Sequence, residues 1–63
     1  MCLSTVYKGN EIKDENMLCE YVTEIDLSDG NVNLVDITGA TKEYKGLISK
    51  IDLIKNVIFV NLD

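Results

Sequence analysis

The sequence contains no histidine, no proline and no tryptophan, and it has only four glycines among its 63 residues. Histidine is the usual general base at neutral pH and a common ligand of zinc, copper and nickel, so its absence argues against an enzyme. Carboxylates occur singly along predicted turns and strands, and the sequence has no glycine-rich phosphate loop and no nucleophile elbow. We therefore expect a protein that is not an enzyme.

Basic charge and long hydrophobic segments are also scarce. Six lysines and no arginine stand against eleven acidic residues, giving a formal charge of -5, so nucleic-acid binding through phosphate contacts is disfavoured. The longest apolar run is Val57–Val60, whereas a membrane-spanning helix needs roughly 20 apolar residues. The N-terminus also lacks a charged stretch followed by an apolar one. The sequence thus predicts a soluble, cytoplasmic protein without a membrane partner.

Strand-forming residues dominate what is present, because valine, isoleucine and threonine are abundant and alanine occurs once. Alternating apolar residues and turn signals predict five short strands, each antiparallel to its neighbour. Gly46 predicts a bend or bulge. For Met17–Tyr21 the pattern favours a turn slightly over a strand. The predicted strands are residues 2–7, 22–27, 31–38, 42–53 and 57–62.

Five short strands in so small a chain enclose a core only by curling into a barrel or a strongly twisted pair of sheets. We therefore predict an all-β fold, a small antiparallel SH3-like or Sm-like barrel, as a single domain over residues 1–63. The predicted core consists of aliphatic residues from all five strands: Leu3 or Val6, Val22, Ile25, Leu34, Ile37, Ile48, Ile51, Leu53, Ile58 and Val60.

The two cysteines, Cys2 and Cys19, bear on how so short a chain is stabilised. A domain of about 60 residues often needs a disulfide, a metal or self-association. In a reducing cytoplasm, cysteines are more often free, metal-bound or packed than paired. Cys19 lies among apolar residues and is interpreted as a small buried hydrophobe. A disulfide between the two cysteines stays open, because sequence does not give their distance.

Cys2 offers more than its thiol. If Met1 is removed, Cys2 carries a free amine beside its thiolate; if Met1 stays, the Met1 amine, the Cys2 amide nitrogen and the thiolate form a comparable set. One chain thus supplies two or three adjacent donors, which is too few for a closed site. A two-fold axis near Cys2 would complete a site of two sulfurs and two nitrogens. Square-planar sulfur and nitrogen donors suit Ni(II) or Cu(II), whereas zinc prefers a tetrahedron.

The order of these segments resembles the CooT family, small accessory proteins associated with nickel insertion into carbon monoxide dehydrogenase. The resemblance covers essentially the whole chain. It rests on Met1-Cys2-Leu3-Ser4, on the Leu18–Val22 segment, on Gly39, and on Gly46–Leu53 followed by a short turn and an apolar strand. Ser4 stands where a small apolar residue would be expected.

The resemblance implies a homodimer with an Sm-like fold and one Ni(II) shared between the Cys2 residues of the two chains, with carbon monoxide dehydrogenase or another nickel enzyme as the partner. Two other functions remain open. One is an Sm-like RNA-binding module, for which Lys42, Lys45 and Lys50 are the nearest approach to a basic cluster. The other is a metal-free dimer that docks on a larger protein.

Overall fold

A computed structural model describes residues 3–63 and contains five strands in one closed sheet. The 3-10 turn Asp14–Asn16 precedes the second strand. The strands are β1 (Ser4–Lys8), β2 (Met17–Ser28), β3 (Asn31–Asp36), β4 (Thr41–Asp52) and β5 (Val57–Leu62). The prediction of an all-β, five-stranded barrel is confirmed.

Consecutive strands pair antiparallel, as predicted, and the barrel closes between β1 and β5. Because four successive reversals leave β5 running in the same direction as β1, this closing pair must be parallel. Thr5 lies opposite Val57 and Lys8 opposite Val60. The sheet therefore has no free edge between its first and last strands, which is the advantage of a closed barrel.

The second strand is longer than predicted, since β2 has 12 residues and begins at Met17 rather than at Val22. The other long strand, β4, has the predicted length of 12 residues and begins one residue earlier than predicted. The prediction of a turn at Met17–Tyr21 is wrong, because this segment forms the first part of β2. Each long strand serves two neighbours: β2 pairs with β1 and then β3, and β4 pairs with β3 and then β5. A strand that changes neighbours must bend, and breaks in register occur in both.

The irregularity in β4 lies between Ile48 and Lys50 rather than at Gly46, where the sequence placed it. Gly46 is required for a different reason. A side chain there would overlap the carbonyl oxygen of Asn61 on the neighbouring strand. The backbones of β4 and β5 thus approach each other at this point more closely than any residue with a Cβ would permit.

The core lies inside the barrel and includes most of the predicted residues. Val6, Val22, Leu34, Ile58 and Val60 are buried, and Ile25 and Ile48 pack against them. Cys19 is also buried, which confirms its interpretation as a small hydrophobe. The sequence did not predict the buried Val32, Val57 and Phe59.

The prediction of a buried position is wrong for three residues: Ile37 is 64% exposed, Ile51 53% and Leu53 84%. Ile37 and Leu53 come directly after the last residues of β3 and β4, and Ile51 is the next-to-last residue of β4. Apolar character alone did not distinguish positions inside the barrel from positions at the strand ends.

Candidate site at the start of the first strand

The start of β1 is held by the side chain and backbone of Asn56, in the turn between β4 and β5. The Asn56 side-chain amide donates to the Leu3 carbonyl at 3.2 Å, and the Ser4 hydroxyl donates to Asn56 Oδ1 at 2.9 Å. The Thr5 amide donates to the Asn56 carbonyl at 3.2 Å. Three consecutive residues of the chain are therefore fixed by one asparagine.

Asn56 can make these contacts because its backbone has φ +61°, a left-handed conformation that asparagine tolerates better than most residues. The preceding turn is ordered by Asp52, whose Oδ1 accepts hydrogen bonds from the amides of Ile54 at 3.1 Å and Lys55 at 2.9 Å. The hydrogen bond from Lys55 is the main cause that lowers the pKa of Asp52. The turn is thus held by its own hydrogen bonds and in turn holds the start of β1.

Ser4 now has a structural explanation. The sequence places a hydroxyl where a small apolar residue would be expected, and the structure uses that hydroxyl to bond Asn56. Asn56 itself was not identified from the sequence beyond its place in a short turn. Its contacts with β1 join residues more than 50 positions apart, and no local pattern reports such a contact.

Cys2, the predicted metal ligand, lies outside the described residues. Within residues 3–63, no group of three or more cysteine, aspartate or glutamate side chains is placed to hold a metal ion. In the sequence, Cys2 directly precedes the segment that Asn56 holds.

Cys19 is a free thiol in the barrel interior, where it packs with Val6 and Val22. Its Sγ lies 3.6 Å from the Glu20 carbonyl oxygen, to which it donates. Burial raises the pKa of the Cys19 thiol, opposed by the positive charge of Lys42. A neutral buried thiol is a poor metal ligand, because metals bind the thiolate.

The lysines predicted as the nearest basic cluster have different surroundings. Lys42 donates to the Leu18 carbonyl at 3.1 Å. Lys50 instead lines a cleft of about 410 Å³ with Lys13 and Lys55, and Phe59 forms part of its wall. The carboxylates of Glu11 and Asp52 line the same cleft, and Glu11 pairs with Lys13 at 3.3 Å. Positive charge in this cleft is thus largely balanced.

No helix in residues 3–63 is long and apolar enough to cross a membrane. Among protein families, the model described as CO dehydrogenase accessory protein CooT matches residues 1–61. No curated protein matches the chain.

Proposed function

The chain belongs to the CooT family of CO dehydrogenase accessory proteins, and from this premise we propose that it binds one Ni(II) per homodimer through Cys2 of each chain. An accessory protein assists the dehydrogenase and is not itself a catalyst. The proposed task is to carry nickel to that enzyme. The observation that carries the proposal is the range of the match, which begins at residue 1 and includes Cys2.

The donor chemistry of the N-terminus supports nickel. Cys2 provides a thiolate, and its own amine or the nitrogens of Met1 and Cys2 provide the adjacent donors. Two copies supply two sulfurs and at least two nitrogens, and Ni(II) accepts such a set in a plane. Copper(II) would accept the same donors, so the donors alone do not distinguish the two metals. We propose nickel because the family serves CO dehydrogenase, to which the proposed task delivers nickel.

The way in which β1 is held supports a site at its start. Asn56 donates a hydrogen bond to the Leu3 carbonyl and accepts one from the Ser4 hydroxyl, and these bonds hold the segment that follows Cys2 in the sequence. A metal-binding residue next to a fixed residue loses less conformational entropy on binding than one on a free tail. The smaller entropic cost makes binding of the metal stronger. The barrel therefore acts as a rigid base for the metal-binding end of the chain.

A calorimetric titration of untagged, reduced protein with Ni(II) tests the proposal, with the mass checked for loss of Met1. Cys2→Ala should abolish binding. Cys19→Ala is the matched control, since it removes the other thiol without touching the proposed site. Saturation at one nickel per two chains in the wild type and in Cys19→Ala, with no binding in Cys2→Ala, would support the shared site.

The opposite results are equally clear. Nickel affinity that is unchanged in Cys2→Ala would refute ligation by this cysteine. Saturation at one nickel per chain would refute a site shared between two copies. Full affinity in a protein whose N-terminal amine is blocked by an uncleaved tag would show that the amine is not a ligand.

A further inference from the structure

The cleft lined by Lys13, Lys50 and Lys55 also has apolar walls. Phe59 alternates along β5 with two residues of the barrel core, so its side chain lies on the outer side of the sheet, where it lines the cleft. Ile12 lines the same cleft and is 49% exposed. The cleft volume of about 410 Å³ lies within the range of about 300 to 1,000 Å³ that is usual for small-molecule sites. The cleft therefore has the size and the apolar surface that a small organic ligand requires.

A β-bulge in β4 brings two polar side chains to this cleft. Ile48 lies opposite Val60 on β5. The next pair joins Lys50 to Phe59, so Ser49 is an extra residue between the two pairs. In a regular strand, Ser49 would lie opposite Phe59 and Lys50 would point into the barrel. Because of the bulge, Ser49 and Lys50 both line the cleft. Bulges that redirect a side chain are frequent next to active sites.

The carboxylates of the cleft do not fully neutralise its lysines. Glu11 pairs with Lys13 at 3.3 Å, whereas Lys50 and Lys55 form no ion pair with any of residues 3–63. Asp52 is the second carboxylate of the cleft. Its pKa is lowered mainly by the hydrogen bond from the Lys55 amide, and the charges of Lys55 and Lys50 lower it further. Three lysines thus face two carboxylates, which leaves one positive charge in excess.

The loop that forms one wall of the cleft is ordered by hydrogen bonds. The Asn16 side-chain amide donates to the Glu11 carbonyl at 3.3 Å, and the Asn16 backbone amide donates to the Lys13 carbonyl at 2.9 Å. The Gly9 amide donates to the Val60 carbonyl at 2.9 Å, which joins the start of the loop to β5. A ligand therefore enters a cleft whose walls are already formed, and the small cost of ordering them favours binding.

We propose that this cleft binds a small organic acid that has one carboxylate and an apolar body. The carboxylate accepts hydrogen bonds from the ammonium groups of Lys50 and Lys55, and the apolar body packs against Phe59 and Ile12. Hydrogen bonds between charged groups are the strong ones. One negative charge cancels the excess positive charge, whereas a dicarboxylate would make the cleft negative. Since the site uses none of the proposed nickel ligands, it goes beyond the proposed function and does not rest on it.

Titration of isotope-labelled protein with phenylacetate, followed by the amide chemical shifts in NMR spectra, tests this site. Phenylacetamide is the matched ligand, because it has the same ring and no charge, and acetate has the charge without the ring. We expect saturable shifts at the amides of residues 10–13 and 49–50 with phenylacetate. Both comparison ligands should bind at least about fivefold more weakly, because each lacks one of the two contacts.

Lys50→Met removes one of the two ammonium groups and should raise the Kd of phenylacetate at least about fivefold. Lys45→Met is the matched control and should change the Kd less than about twofold, because Lys45 is an exposed lysine of the same strand that does not line the cleft. Circular dichroism checks the fold of each variant, and Lys55→Met is the second variant if Lys50→Met does not fold. Cys2→Ala should bind phenylacetate as the wild type does.

Three results would overturn the site. Equal affinities for phenylacetate and phenylacetamide would show that the charge of the ligand is not recognised. Equal affinities of Lys50→Met and Lys45→Met for phenylacetate would show that the cleft lysine is not a ligand. The absence of saturable shifts at the cleft amides would show that the acid does not bind there. None of these results bears on nickel binding by Cys2, which the calorimetric titration measures separately.

Discussion

At the scale of single residues, Gly46 shows how one position permits the close approach of two neighbouring strands, β4 and β5. A Cβ at Gly46 would overlap the Asn61 carbonyl oxygen and lie 3.0 Å from Leu62 Cα. We expect Gly46→Ala to lower the free energy of unfolding by about 3 kcal/mol, because the contact is with backbone that cannot move aside. Thermal unfolding followed by circular dichroism measures the loss.

Gly39→Ala is the control for this prediction. Gly39 has φ +86° but open space around the position of a Cβ, so alanine there has only the backbone cost of about 1 to 2 kcal/mol. Equal melting temperatures for the two variants would show that the approach of β5 to Gly46 is not tight.

The thiol of Cys19 gives a pH-dependent contribution to stability. Burial raises its pKa above the ordinary value of 9.0, so the folded protein keeps the proton that the unfolded chain loses. The contribution is complete below about pH 9 and is lost as the pH rises through the folded pKa. Urea unfolding between pH 8 and pH 10.5 should show a steeper loss in the wild type than in Cys19→Ala. Parallel curves would contradict this.

At the scale of structural elements, hydrogen bonds of Asn56 join the turn between β4 and β5 to the start of β1. We expect Ser4→Ala and Asn56→Gly each to destabilise the protein, and the double variant to cost less than the sum by about 0.5 to 1.5 kcal/mol, the value of one hydrogen bond. Glycine is chosen at Asn56 because it accepts φ +61°. Chemical denaturation measures all three variants, and strictly additive losses would mean that the Ser4 bond contributes nothing.

The turn between β3 and β4 depends on an ionised carboxylate. Asp36 Oδ1 accepts hydrogen bonds from the Thr38 hydroxyl at 2.6 Å, the Thr38 amide at 2.8 Å and the Ala40 amide at 3.2 Å. These bonds, the Thr38 hydroxyl first, lower the pKa of Asp36 below its ordinary 3.8. The stabilisation is therefore complete above about pH 4 and is lost as the pH falls through the lowered pKa.

The variant Asp36→Asn tests this dependence. It should be less stable than the wild type at pH 7 and approach the wild type near pH 2, as measured by urea unfolding. Asp26→Asn, which changes an exposed carboxylate within β2, is the control for loss of one negative charge. If both variants follow the same pH curve, the turn does not depend on the charge of Asp36.

At the scale of the whole molecule, the strand pattern was predictable because alternation and turn signals are local. The start of β5 and the turn at residues 28–31 follow directly from them. The predictions that were wrong concern contacts between strands that are distant in the sequence. The second strand begins at Met17 rather than at Val22 because β1 pairs with this part of the chain. Phe59 is buried although its neighbours Ile58 and Val60 occupy the barrel interior. Its ring lies 6.3 Å from that of Tyr7. Contacts between distant strands have no local signature.

The candidate site also has parts that the sequence predicts and parts that it does not. Cys2 stays a prediction, made from donor chemistry and from the order of segments that resembles the CooT family. The hydrogen bonds that Asn56 makes with Leu3 and Ser4 could not be predicted, because they join residues more than 50 positions apart in the sequence. The exposure of Leu53 also reverses a prediction, since hydrophobicity alone does not indicate that this residue follows the last residue of β4 and lies outside the barrel.

At the scale of the whole molecule, the pH dependence of nickel affinity tests the proposed donor set, in which two chains share one metal. Free thiols lose their proton at about pH 8.5 to 9 and terminal amines near pH 7.7, so below about pH 7 each proposed ligand must lose a proton before it binds nickel. Two thiolates and two amines would release up to four protons, and the affinity would then fall by up to about 10⁴ for each pH unit. Competition titrations with a chelator of known affinity between pH 5.5 and pH 7 measure the slope.

Cys19→Ala should have the same slope as the wild type, because a buried thiol outside the site exchanges no proton with the metal. A slope near two would mean that only one kind of donor binds, and an affinity independent of pH would exclude thiolate ligation altogether.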